Sequence, residues 1–173
     1  WLRQLFLRTP LQMARNARVM IHVGNAPLTS SPGDRSVRVR YQLQELTDLR
    51  SAASVSLDSA RDRGVVAFCG IARPDRFIET LQNARLTLAD SMFFPDHHVY
   101  RPSDLDALIA LAEKRGVNTL VTTSKDAVRF PTVFQVKESA EAGRFRFLAS
   151  EAVLSWHPDR SILEAELDSL WKS

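Results

Sequence analysis

The 173-residue sequence lacks the features that mark several classes of protein. It has a single cysteine, Cys69, which excludes an internal disulfide and, because it lies in an apolar run, suits a reducing compartment. No apolar run approaches the roughly 20 residues that span a bilayer. Cysteines and histidines do not recur at metal-ligand spacing, so the sequence offers no metal-site motif.

Glycine-rich nucleotide loops are also missing, because neither G-x4-G-K-[ST] nor G-x-G-x-x-G occurs in the chain. There is no helix-turn-helix signature and no interleaving of aromatic and basic residues, so we expect no nucleic-acid partner. The first residue is Trp1 and no signal-peptide pattern follows it. We therefore interpret the sequence as a piece of a longer chain.

The charge is small in sum but uneven along the chain. The fractions of hydrophobic and charged residues, 45% and 25%, are ordinary for a globular protein, and the net charge is +3. Residues 1–63 contain ten arginines and five acids, which gives +5, whereas residues 64–173 contain thirteen basic and fifteen acidic residues, which gives −2. The basic front favours an anionic partner such as acidic lipid headgroups, but a solvated arginine-rich surface explains it equally well.

The order of apolar patterns over residues 64–173 predicts an α/β fold. Buried strands are predicted at Val65–Cys69 and Thr119–Thr123, and two further strands at about Thr87–Phe94 and at Phe145–Ala149. Three helical patterns alternate with these strands: the first follows Pro74, the second ends before Gly116, and the third covers Ser161–Trp171. The second helix has two possible starts: either Pro102 is its first residue, or Ser103 is its N-cap. Such alternation implies parallel pairing through right-handed crossovers. We predict a small three-layer α/β/α domain with a mainly parallel sheet.

The front of the chain has a different pattern. Arg18–Val23 is typical of a buried strand, and the residues from 24 to 35 are typical of a loop. Ser36–Leu43 alternates apolar and polar residues, and Ser54–Leu57 is a suitable partner. These patterns predict a short antiparallel β-ribbon that serves as a connector rather than as part of a core.

Ligands of open α/β sheets bind beyond the carboxyl ends of the strands, which selects Gly70–Arg73, Pro95–His98 and Thr122–Asp126. His97 is a candidate general base with Asp96 as its neighbour, although composition alone favours a simpler interpretation, in which Asp96 caps local backbone and the histidines are surface loop residues. Lys125 and Thr123 are candidates to contact a phosphate, but Thr123 is also a good helix N-cap, with Asp126 favoured by the helix dipole. Arg73 is a further candidate for an anion.

Three of these segments carry a specific resemblance. They read VVAFCGIARPDRF at Val65–Phe77, FPDHH at Phe94–His98 and TTSKDAVR at Thr122–Arg129. In this order and spacing they resemble the C-terminal half of tetraacyldisaccharide 4'-kinase, the lipid A 4'-kinase, whose corresponding motifs run much like A-G-I-G-x-P-x-x-F, F-x-D-H-x and T-T-E-K-D-A-V. Leu2-Arg3 and Val19–Gly24 are also similar to family stretches.

The resemblance implies an activity and a partner. The family transfers the γ-phosphoryl group of MgATP to the 4'-hydroxyl of a tetraacylated glucosamine disaccharide 1-phosphate, giving lipid IVA, at the cytoplasmic face of the bacterial inner membrane. Its fold has two α/β lobes joined by a β-ribbon, and the larger N-terminal lobe carries the P-loop, the Mg²⁺ ligands and a catalytic aspartate. The resemblance therefore implies ATP and Mg²⁺ bound mainly outside this chain, a glycolipid substrate and an anionic membrane surface.

The resemblance also assigns residues. The second-lobe histidine of the family matches His97, and Asp96 matches the carboxylate before it. Arg73, Thr123, Lys125 and Asp126 are kept as candidate substrate-binding residues because of their place at the strand ends. Residues 1–24 become a remnant of the P-loop lobe, residues 25–63 the linker with its β-ribbon, and residues 64–173 the C-terminal lobe. Ser124 replaces the usual glutamate, which leaves the role of that loop open. The alternative is a non-catalytic module that binds a phosphorylated glycolipid or a nucleotide.

Overall fold

The computed structural model describes residues 20–24, 36–61, 63–130, 142–157 and 161–171. They divide into two compact units. The larger unit is Tyr41–Val153, and the smaller contains the described residues up to Arg40 and from Leu154 onward. The predicted boundary at Gly64 lies inside the larger unit, and the division into lobe remnant, linker and C-terminal lobe stays a prediction. The family-like stretch Leu2-Arg3 and the predicted loop over residues 25–35 lie outside the described residues.

Seven strands and five α-helices make up the described elements. The strands are β1 (Met20–Val23), β2 (Ser36–Asp48), β3 (Ser54–Val55), β4 (Val65–Cys69), β5 (Leu88–Phe93), β6 (Thr119–Thr123) and β7 (Arg146–His157). The helices are α1 (Leu57–Arg61), α2 (Pro74–Asn83), α3 (Pro102–Lys114), α4 (Ser124–Ala127) and α5 (Ser161–Trp171), and a 3₁₀ turn covers Ala142–Arg144. No helix among the described residues is long and apolar enough to cross a bilayer.

The sheet of the larger unit has the strand order β3-β2-β7-β6-β4-β5. The pairs β4–β5, β4–β6 and β6–β7 are all parallel, as the sequence predicted, and the short β2–β3 pair is antiparallel. Because β4 and β6 are separated along the chain by β5 and α3, the crossovers place helices on the sheet faces. The α/β prediction is confirmed.

Residues of β4 face two separate cores because side chains alternate along a strand. Val65, Ala67 and Cys69 belong to one apolar cluster, which Phe77 and Leu81 of α2 complete. Val66 and Phe68 belong to the other cluster, to which α3 contributes Leu105, Leu108 and Ala112. All five residues of β4 are fully buried, which explains why the strand reads as an unbroken apolar run.

Two strands extend beyond their predicted bounds. β2 continues to Asp48, and Leu43 and Leu46 are buried in the same cluster as β4, so this part of the ribbon belongs to a core; the view of it as a mere connector is wrong for these residues. β7 continues to His157 rather than ending at Ala149. Residues 151–154 are exposed, so this extension lacks the buried pattern that would have predicted it.

The start of α3 resolves an ambiguity in the sequence. Pro102 is the first helical residue, and the backbone N–H of Arg101 donates to Asp104 Oδ2 at 2.8 Å. The Ser103 cap is therefore wrong. Proline suits the first helical position because its missing N–H has no partner there in any helix.

The smaller unit contains β1, α5 and the start of β2. β1 pairs in parallel with β2, with Met20 opposite Ser36 and Val23 opposite Val39. The backbone N–H of Gly24 donates to Val39 O at 2.9 Å and ends the pairing. α5 has the predicted bounds.

Candidate functional site

The carboxyl ends of β4, β5 and β6 lie at one edge of the sheet because these strands are parallel neighbours. Gly70, directly after β4, connects them: its N–H donates to Asp126 Oδ2 at 3.2 Å, and its carbonyl accepts from His97 N–H at 3.1 Å. The structure thus brings together the three segments that the sequence selected.

Glycine at position 70 allows this close approach. A Cβ atom there would lie 3.0 Å from His98 Cβ and 3.0 Å from Pro95 O. Real Cβ atoms rarely make contacts this short, and one of the two atoms belongs to the backbone. Any larger residue would push the Pro95–His98 turn away from β4.

His97 projects from this turn. Its side chain is 80% exposed, and its Nε2 lies 3.8 Å from Asp96 Oδ2. His97 has a positive φ of 60°, in the left-handed region where histidine is among the more frequent non-glycine residues. The hydrogen bond to Gly70 holds this unusual backbone in place. An exposed imidazole beside a carboxylate, on a fixed turn, is suited to accept a proton from a bound hydroxyl.

His98 points away from His97 into a half-buried pocket of its own. Its Nε2–H donates to Asp104 Oδ2 at 2.8 Å, and its ring stacks on Phe94 with centroids 4.6 Å apart. Burial acts to raise the pKa of Asp104, but the hydrogen bonds from His98 and from the Arg101 N–H outweigh it and lower that pKa below its ordinary value. His98 is therefore engaged with α3 and Phe94, whereas the side chain of His97 is exposed.

Asp126 is fully buried behind the same edge. Its Oδ2 accepts from the Thr123 hydroxyl at 2.7 Å, and its own N–H donates back to Thr123 Oγ1 at 3.1 Å, which confirms Thr123 as the N-cap of α4. Arg129 Nη1 lies 3.8 Å from Asp126 Oδ1. The carboxylate of Asp126 therefore joins β6 to β4 and does not face solvent.

Two neutral groups lie close to Asp126. Burial, and then the negative charge of Asp126, raise the pKa of Cys69 to about 12. The same two causes raise the pKa of Tyr100 far above its ordinary value. Both groups stay protonated at neutral pH, so neither is an activated nucleophile or base.

A groove of about 320 Å³ lies on the α2 side of this edge. It contains three of the predicted residues, Arg73, Thr123 and Lys125, but neither Asp96 nor His97. The Arg73 guanidinium is bound by Asp75 through both carboxylate oxygens, at 3.1 and 2.8 Å. The other groove residues are Tyr41, Ile71, Ala72, Arg76, Phe77, Thr80, Ser124, Ser150 and Ala152.

Arg76 and Ser150 are among the polar groove residues that the sequence did not single out. Arg76 lies one turn beyond Arg73 on α2, and helical spacing alone was a sufficient signal for it. Ser150 lies on the part of β7 that the sequence did not predict, so no signal pointed to it. No group of three or more histidine, cysteine, aspartate or glutamate side chains suited to a metal ion occurs among the described residues.

Comparison with known proteins decides the family. A sequence profile of the family "Tetraacyldisaccharide-1-P 4'-kinase" matches residues 6–170. The chain belongs to this family. A tetraacyldisaccharide 4'-kinase of Gluconacetobacter diazotrophicus is 37% identical over 134 residues, which cover 76% of the chain and 38% of the relative. One from Methylorubrum extorquens is 55% identical over 69 residues, 40% of the chain and 21% of the relative.

A solved structure shows the same fold. The LpxK protein of Aquifex aeolicus, crystallised in complex with ATP, superimposes with a TM-score of 0.53 over 94% of the chain and 45% of its own length, at 20% identity. The chain thus spans less than half of this protein and less than two fifths of the two family relatives above.

Proposed function

We propose that the chain is the C-terminal part of a tetraacyldisaccharide 4'-kinase, which phosphorylates the 4'-hydroxyl of a tetraacylated glucosamine disaccharide 1-phosphate to give lipid IVA. Family membership over residues 6–170 supports the activity. The observation that carries the site is the exposed His97 on a turn fastened to Gly70, with the Asp96 carboxylate beside it.

The residues in hand do not fit a site for ATP and Mg²⁺. The sequence has no P-loop, and the described residues hold no cluster of metal ligands. We therefore place both the nucleotide and the metal on a P-loop lobe outside these residues, together with a catalytic aspartate.

His97 then acts on the acceptor. Its imidazole orients the acceptor hydroxyl and takes its proton as the oxygen attacks the γ-phosphorus, the bond from the γ-phosphorus to the bridging oxygen breaks and ADP leaves; Asp96 stabilises the imidazolium that forms. Phosphoryl transfer depends mainly on positioning and charge neutralisation, so a lobe that supplies the orienting histidine need not bind the phosphates of the donor. Asp126, which is buried, is a positioning residue: it holds Gly70, and Gly70 holds His97.

A direct assay tests this assignment. With MgATP and the tetraacyldisaccharide 1-phosphate, the 173-residue chain alone should give no 4'-phosphorylation above background. A chimera in which residues 64–173 replace the matching segment of the Gluconacetobacter diazotrophicus relative should give measurable product. A folded chimera without product contradicts the kinase assignment and favours the alternative, a non-catalytic module for a phosphorylated glycolipid or nucleotide.

For the same enzyme we propose a peripheral position at the cytoplasmic face of the bacterial inner membrane. The basic front of the chain, +5 over residues 1–63, supports this, because each cation near an anionic bilayer contributes about 1 kcal/mol. Arg38 and Arg40 of β2 belong to this front.

Binding to anionic vesicles should therefore depend on salt and on these arginines. Sedimentation with phosphatidylglycerol vesicles should fall as salt rises, because charges are screened over about 8 Å at physiological ionic strength and about 3 Å at 1 M. Arg38→Gln and Arg40→Gln should each weaken binding about fivefold. Lys114→Gln, from the acidic part of the chain, is the control. If binding changes neither with salt concentration nor in the Arg38 and Arg40 variants, the basic front is only a solvated surface.

A further inference from the structure

We propose that the groove beside α2 binds the phosphorylated sugar end of the acceptor, with Arg76 and Lys125 as the groups that bind its phosphate. This inference rests on the proposed function and adds a binding site to it. The chemical class is a sugar phosphomonoester.

The volume of the groove and the residues that line it are typical of a site for a small ligand. Its volume of about 320 Å³ lies at the lower end of the range of roughly 300–1,000 Å³ for such sites. Tyr41, Ile71 and Phe77 give it an apolar and aromatic side. Ser124 and Ser150 line it as well, and Ser150 is only 6% exposed. Apolar walls with a few convergent polar groups are typical of sites for sugars and other small molecules.

The charge of the groove favours an anion. Arg73, Arg76 and Lys125 line it, and among the described lining residues there is no carboxylate. Arg73 is bound to Asp75, which raises the pKa of Arg73 and neutralises much of its charge toward a ligand. The positive charge available to a ligand therefore comes mainly from Arg76 on α2 and Lys125 on α4. Hydrogen bonds between such cations and phosphate are among the stronger ones in proteins.

The groove also adjoins the candidate catalytic turn. Ile71 and Ala72 line the groove and directly follow Gly70, whose carbonyl holds the N–H of His97. The residues directly after β4 thus contribute both to the groove and to the support of the His97 turn.

Four probes show whether the groove binds the phosphate of a sugar, of a nucleotide or of a lipid headgroup. Isothermal titration calorimetry of the 173-residue chain would compare N-acetylglucosamine 1-phosphate, N-acetylglucosamine, AMP and phosphatidylglycerol vesicles. We expect the sugar phosphate to bind at least tenfold more tightly than the sugar without phosphate, since hydrogen bonds to charged groups contribute about 1.5–3 kcal/mol. AMP, in which the phosphate is carried by a nucleoside, should bind less tightly than N-acetylglucosamine 1-phosphate, and the vesicles should not compete for the groove.

Variants locate the binding. Arg76→Gln and Lys125→Gln should each weaken the binding of the sugar phosphate about tenfold. Lys114→Gln should change this affinity less than about twofold, because Lys114 lies on α3, which packs on the face of the sheet opposite to α2. Melting temperatures of all variants exclude unfolding as the cause.

Several outcomes overturn the inference. They are equal affinity for sugar and sugar phosphate, equal losses in the control variant, tighter binding of AMP, and competition by vesicles alone. An active chimera whose KM for the acceptor is unchanged by Arg76→Gln and Lys125→Gln would also overturn it, yet leave the kinase assignment intact. An inactive chimera with a functional groove would instead contradict the kinase assignment.

Discussion

His97→Asn should lower kcat of the chimeric kinase by about 10²–10⁴-fold, the usual contribution of a positioned general base. Asparagine is the informative replacement because His97 has a φ of 60°, which asparagine tolerates better than alanine does. The variant therefore removes the base and keeps the turn. The KM for ATP should change much less, since the proposal places ATP on the other lobe. Steady-state kinetics measure both.

His98 provides the matched control, because the structure gives the two neighbouring histidines opposite surroundings. His98→Ala leaves the half-buried Asp104 without its ring partner and should cost about 1–3 kcal/mol of stability. At a temperature where this variant stays folded, its kcat should remain within about threefold of the parent. Asp96→Asn should give an intermediate loss of kcat. Equal losses of kcat at His97 and His98, or a nearly normal His97→Asn enzyme, would show that His97 is not the orienting base.

The sequence predicted the parts of the fold that periodicity controls. β4 and β6 have the predicted bounds because they are covered on both faces and therefore read as unbroken buried runs. The extension of β7 was missed because residues 151–154 are exposed, and an exposed strand has no buried pattern to detect. The parallel order followed from the alternation of strands and helices.

The sequence predicted which segments meet but not which of their side chains form structural hydrogen bonds and which face solvent. Gly70 and Asp126 are 56 residues apart, and nothing local shows that the carboxylate of Asp126 turns inward to the Gly70 N–H. The same holds for His98, whose partner Asp104 comes from the start of α3. Long-range hydrogen bonds of this kind depend on the completed fold, so sequence alone left Asp126 among the substrate-side candidates and His98 without a role.

Asp126→Ala should destabilise the chain by about 3–5 kcal/mol, the usual cost of removing one member of a buried ion pair. The substitution leaves the Gly70 N–H, the Thr123 hydroxyl and Arg129 without their carboxylate partner. With a urea dependence of about 2 kcal/mol per M, the unfolding midpoint should fall by roughly 2 M. Urea unfolding followed by tryptophan fluorescence or circular dichroism measures it.

The chain contains a matched control for this carboxylate. Asp58 and Arg61 form a second aspartate–arginine pair with the same spacing of three residues, but the Asp58 side chain is 86% exposed. Asp58→Ala should leave the midpoint nearly unchanged, because exposed pairs are hydrated and gain little. Asp126→Asn keeps one acceptor oxygen and should lose less stability than Asp126→Ala, so the comparison remains possible if the alanine variant does not fold. Similar midpoints for the Asp126 and Asp58 variants would contradict the assignment of Asp126 as the carboxylate that fastens β4, β6 and, through Gly70, the turn of His97.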